Sequence, residues 1–138
     1  MLDIAMRKIG IEDLKPGKGF HFPEGAYVEY VGVMDENRRK SAVKELTDMC
    51  NQIIHEAPED HKTFVQIMEY EEAAKALKDG VPSYMPAGKP FRVVKITEED
   101  NGCPCGGTHI KSVKDIVSIE VTKIQKKGKN TRVSYITK

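Results

Sequence analysis

Asn101-Gly102-Cys103-Pro104-Cys105-Gly106-Gly107-Thr108-His109 decides how this 138-residue chain is read. Cys105 and His109 set a thiolate and an imidazole on either side of three residues, and both are borderline-soft ligands suited to zinc. Cys103 adds a third donor of the same kind, and Pro104 stiffens the turn between the two thiols. Gly106 and Gly107 have backbone angles open to them that other residues are denied, and they let a ligand come close to the chain. Two or three donors in one loop leave a tetrahedral shell incomplete, so the remainder has to come from elsewhere in the fold. The plain alternative is a glycine-rich turn with two half-buried cysteines and a histidine facing solvent.

The flanks supply the architecture. Phe91 to Ile96 reads as a strand entering the irregular stretch Glu98 to His109. Ile116 to Ile124 and Thr131 to Ile136 read as strands around a Lys126-Lys127-Gly128-Lys129-Asn130 turn. Further upstream, Phe64 to Met68 is a short strand. Tyr70 to Leu77 is a short helix, acidic in its first turn and basic toward its end, as the helix dipole favours. Asp35 is an N-cap for a longer helix running to about Glu56, with Val43, Leu46, Cys50, Ile53 and Ile54 on one stripe. Gly19 to Tyr30 reads as a hairpin with Phe20 and Phe22 on one arm and Val28 and Tyr30 on the other. Leu2 to Gly10 has helical spacing but no N-cap, so it is read as the last turns of a helix whose beginning is absent. Strands and helices do not alternate regularly. The expected class is α+β, a mostly antiparallel sheet with helices packed on one face, forming one domain over residues 1–138.

Bulk properties narrow the field. A hydrophobic share of 39% and a charged share of 31% are those of an ordinary folded domain and are too apolar for wholesale disorder. With a net charge of +1, no global field announces a nucleic-acid or membrane partner, so RNA contact has to come from local patches. No apolar run reaches the roughly 18–20 residues that span a bilayer, and the start lacks the basic and apolar blocks of a secretory leader. Cys50, Cys103 and Cys105 cannot all pair, which fits reduced thiols and a cytoplasmic location.

Cys105-Gly106-Gly107-Thr108-His109 also resembles the motif of alanyl-tRNA synthetase editing domains and of freestanding alanyl-tRNA editing proteins of the AlaX type, with threonyl-tRNA synthetase editing domains as more distant relatives. The strands on both sides of the motif agree with that family, and Gly19 to Gly32 resembles its pocket hairpin. The resemblance implies Zn2+ held by Cys105 and His109, with Cys103 as an extra donor, and two further histidines spaced four apart on the first helix. Residues four apart share a helix face, which suits gripping one ion. His21, His55, His61 and His109 include no such pair, so the resemblance places it upstream of Met1.

The implied activity is hydrolysis in trans of tRNA(Ala) carrying serine or glycine. Gly106, Gly107 and Thr108 would stabilise the oxyanion, and His21 and Phe22 would line the substrate pocket. Lys126, Lys127, Lys129 and Arg132 form a patch for tRNA phosphates, unless they serve only to keep a sheet edge soluble. Two other readings stay open: a tRNA-binding homologue without catalysis, and a small metal- or redox-responsive protein using Cys103 and Cys105.

Overall fold

The computed structural model describes residues 1–77, 80–81, 85–98, 100 and 102–138. Asn101, which opens the quoted stretch, lies outside the described residues. The elements are α1 (Leu2–Lys8), β1 (Lys15–Phe20), β2 (Tyr27–Val31), α2 (Glu36–Glu56), β3 (Phe64–Met68), α3 (Tyr70–Ala76), β4 (Phe91–Lys95), β5 (Cys103–Pro104), a 3-10 turn at Val113–Asp115, β6 (Ile119–Lys127) and β7 (Asn130–Thr137). Every strand pairing is antiparallel, so the α+β class expected from the sequence holds. The chain divides into two compact units, residues 1–57 with 116–138 and residues 58–115. Each is described on its own.

The first unit is a four-stranded sheet in the order β1-β2-β7-β6 with α1 and α2 sharing its core. Leu46 and Cys50 of α2, Ile4 and Met6 of α1, and Tyr30, Val121 and Val133 of the sheet are buried together. At roughly 25 cal/mol per Å² of apolar surface, these side chains supply most of what holds the unit together. Asp35 caps α2 as expected, its carboxylate accepting from the Arg38 amide. The buried stripe runs through Ala42 rather than Val43, which sits half-buried at its flank.

Asn51, also on α2, donates from Nδ2 to the Ile119 carbonyl and accepts the Ile119 amide at Oδ1, while Thr47 Oγ1 accepts from the Val121 amide. Thr131 is fully buried; its hydroxyl donates to the Gly32 carbonyl and accepts from the Met34 amide. The first hairpin differs from expectation at its outer arm. The strand begins at Lys15, crosses Pro16 with an irregular register before Gly19, and ends at Phe20, leaving Phe22 beyond it.

The second unit is the three-stranded sheet β3-β4-β5 with α3. Met68, Phe91, Val93, Ala73 and Leu77 form its core, and Tyr70 meets the Phe91 ring edge-on at 6.4 Å between centroids. His61 is a strut here, not the solvent-facing residue its loop position suggests. Its Nε2 meets the Ile96 carbonyl, and the Val113 amide donates to its Nδ1, so it braces β4 against the 3-10 turn. Among the described residues no helix is long and apolar enough to cross a membrane.

Candidate active site around the Cys-Gly-Gly-Thr-His loop

The motif is anchored at its start by β5. Pro104 lies opposite Val93 and Cys103 opposite Val94, and the Cys105 amide donates to the Arg92 carbonyl at 2.9 Å. Pairing therefore ends at Cys105 and the chain leaves the sheet as Gly106-Gly107-Thr108-His109. Arg92 follows it out: its guanidinium Nη2 donates to the Gly107 carbonyl. Among the described residues no backbone carbonyl takes the amides of Gly106, Gly107 or Thr108, which leaves three adjacent donors on the loop.

The two glycines are there for space and not for unusual angles. Neither has positive φ, whereas Gly102 just before them has φ 84°. A Cβ at Gly106 would meet nothing within 4 Å, and one at Gly107 would meet only the Cys105 sulfur at 3.7 Å. The expectation that they adopt conformations denied to other residues is thus corrected, while the expectation of an open approach to the backbone stands on the geometry.

Cys105 is half-buried, and Cys103, Gly106, Gly107, Thr108 and His109 are exposed. All three cysteines are unbridged. Among the described residues, no group of three or more His, Cys, Asp or Glu side chains is gathered where it could hold a metal ion. Cys105 and His109 match zinc in kind, a thiolate and an imidazole, but in number they are half of a tetrahedral shell.

Thr108 and His109 line a cleft of about 500 Å³ together with Lys62, Thr63, Val65, Arg92, Ile110 and Lys111. The Thr63 amide donates to the Lys111 carbonyl at 2.7 Å and ties two of its walls. Among the described residues, Arg92 Nε and Thr63 Oγ1 are buried without a hydrogen-bond partner. Sequence reading passed over Lys62, Thr63, Arg92 and Lys111 as site residues. The one signal for them was an arginine inside the otherwise apolar Phe91-Arg92-Val93-Val94 strand, a charge that has to be accommodated on one sheet face.

The remaining expected site residues lie in the first unit. His21 is exposed, with Nδ1 2.8 Å from the Tyr135 hydroxyl, and Phe22 is 66% exposed with its ring 5.0 Å from that of Phe20. Lys126, Lys127 and Lys129 are exposed at the β6–β7 tip. Arg132 is engaged instead: its Nε and Nη2 donate to Glu29 Oε1 at 2.9 and 2.6 Å, and its guanidinium lies 4.0 Å over the Tyr27 ring. Arg132 hydrogen bonding, opposed by burial and reinforced by the Lys18 and Arg132 charges, holds the Glu29 carboxyl below its ordinary range. Cys50 is a core thiol, pushed by burial up to about 11.

A sheet edge that delivers Cys-Gly-Gly-Thr-His onto a basic cleft defines a class, and sequence comparison agrees. Residues 91–132 match the family of the threonyl and alanyl tRNA synthetase second additional domain. The chain is also 30% identical over 93 residues to alanyl-tRNA editing protein AlaX-M of Methanosarcina barkeri (strain Fusaro / DSM 804). That alignment covers 67% of this chain and 38% of the relative, and with the family match it bears out the resemblance to AlaX-type editing domains.

Proposed function

We propose that the chain acts as an aminoacyl-tRNA editing domain of the alanyl type, hydrolysing in trans the ester that joins serine or glycine to tRNA(Ala) in the cytoplasm. The observation that carries this reading is the Cys105–His109 loop itself: it lies wholly within the matched segment, among the described residues no backbone carbonyl takes the amides of Gly106, Gly107 or Thr108, and the backbone is open at the two glycines. Gly106, Gly107 and Thr108 amides would donate to the oxyanion as the ester carbon becomes tetrahedral, an effect worth on the order of 10²–10³ in rate per donor. The Thr108 hydroxyl would pair with the serine side chain. Alanine then leaves that hydroxyl without a partner, which disfavours the correct amino acid.

Cys105 and His109 would hold one side of a Zn2+ ion. When bound, zinc polarises an ester or lowers the pKa of its water. The described residues supply half of its shell. The basic cleft favours a second reading, a tRNA-binding homologue without catalysis.

Deacylation of Ser-tRNA(Ala), Gly-tRNA(Ala) and Ala-tRNA(Ala) separates the two. The editing reading expects the first two to be cleaved well above the third, with Thr108→Val eroding the preference for serine over alanine. Binding of tRNA without cleavage of any of the three, at every zinc concentration tried, would leave the second reading. Metal content after dialysis of the parent chain and of Cys105→Ala/His109→Ala tests the ion separately.

A further inference from the structure

The cleft beside the motif gathers three cationic side chains, Lys62, Arg92 and Lys111, and none of its eight lining residues among those described is acidic. Like charges brought together without counter-charges repel one another, so such a cleft is stabilised by an anion that enters it. Thr63 and Thr108 add hydroxyl donors, and Val65 and Ile110 give an apolar wall but no aromatic surface for a base to stack on. The chemistry is that of a backbone phosphate rather than a base.

Arg92 connects this charge to the Cys105–His109 loop, since its guanidinium donates to the Gly107 carbonyl while its buried Nε has no hydrogen-bond partner among the described residues. Asp100 accepts from the Ile96 and Gly102 amides, and Glu59 pairs with Lys114. We infer that the cleft formed by Lys62, Thr63, Arg92 and Lys111 is a phosphodiester subsite that grips the backbone of a single-stranded RNA end and delivers that end to the Cys105–His109 loop. That the ligand is RNA rests on the editing reading; the anion chemistry does not.

The test is fluorescence anisotropy with a fluorescein-labelled single-stranded RNA heptamer, titrated with the full chain across a salt series. Three phosphate contacts on a single strand give a slope of log K against log salt of about −2. Lys62→Gln/Lys111→Gln, both exposed residues outside the catalytic loop, should weaken binding at least ten-fold at low salt and bring the slope to about −0.7. Arg92→Lys keeps the charge and should largely retain the slope.

Unchanged affinity and slope in the double variant would overturn the inference. So would a larger loss in Lys126→Gln/Lys127→Gln, which would move the phosphate path to the hairpin. Inorganic phosphate or adenosine monophosphate competing as well as the heptamer, on a molar basis, would show a lone-phosphate site and overturn the RNA assignment. A parent chain that binds RNA through the cleft but cleaves no aminoacyl-tRNA would sink the editing reading and leave this one standing.

Discussion

Replacing Gly106 and Gly107 by alanine separates two reasons for a glycine pair in the Cys105–His109 loop. Were the backbone held at positive φ, each alanine would cost stability, but neither glycine has positive φ. Were the glycines needed to avoid neighbours, a Cβ would collide, yet the nearest atom to either is the Cys105 sulfur at 3.7 Å, an ordinary contact. Stability should therefore stay level or rise by about 0.4–1 kcal/mol per substitution, because alanine restricts the unfolded chain. Activity should behave differently. A methyl on the approach to the loop amides keeps the ester carbonyl from hydrogen-bonding distance, which at the scale of one lost oxyanion donor lowers kcat about 10²–10³-fold. Urea unfolding and Ser-tRNA(Ala) deacylation on the same preparations give both numbers. Gly102→Ala is the contrast: with φ 84° and Val93 Cγ1 2.9 Å from the added Cβ, it should destabilise the second unit by about 1–3 kcal/mol. Undiminished deacylation in both loop variants would refute the argument that open space at the motif is a substrate approach.

Other expectations follow from single contacts. Burial raises the Cys50 thiol from 9.0 to about 11, so its neutral form stabilises the fold fully below pH 9, and that contribution is lost as pH climbs toward 11. Relative to Cys50→Ala, the parent should lose on the order of 2–3 kcal/mol across that interval in urea titrations. At pH 8 a thiol reagent should modify Cys103 and Cys105 quickly and Cys50 only on unfolding. Arg132→Ala leaves the buried Glu29 carboxylate with Lys18 at 3.6 Å as its remaining partner and should cost about 2 kcal/mol at neutral pH. Because Glu29 is depressed below 4.5, this contribution is present above that pH and lost as pH falls through the folded value, so the gap to the parent should close in acid titrations. Asn51→Ala removes the clasp on Ile119 and should cost about 2 kcal/mol, read as a drop in urea midpoint with unchanged slope.

Local chemistry made most of the first unit legible. Asp35 is an N-cap in both sequence and structure because a carboxylate followed by a helical stripe has one economical use. The lysine-rich turn and its β-branched flanks fold as the hairpin they spell. What failed were positions where a distant partner decides. Phe22 alternates like a strand residue, but the register ends at Phe20. His61 looks like a loop histidine until the Ile96 carbonyl and Val113 amide close on it. Arg132 belongs by sequence to a basic cluster, yet Glu29 lies directly across the ladder and captures it. At the site, Cys105 to His109 was visible because five contiguous residues carry it. The cleft was not, because Lys62, Arg92 and Lys111 come from three separate segments, which strand pairing, the Thr63–Lys111 hydrogen bond and the His61 contacts bring to one place.

The clasp of Asn51 has a consequence for how the protein survives at high concentration. A terminal strand normally advertises free amides and carbonyls on which another chain can build, the first step toward fibrils. On β6 a side-chain amide imitates that incoming neighbour at Ile119, and the Thr47 hydroxyl occupies Val121. At the opposite margin of the same sheet, Pro16 has no proton to offer and Lys15 and Lys18 bring charge. Loss of the asparagine would thus open a growth point, and turbidity at millimolar protein would register it before any melting curve did.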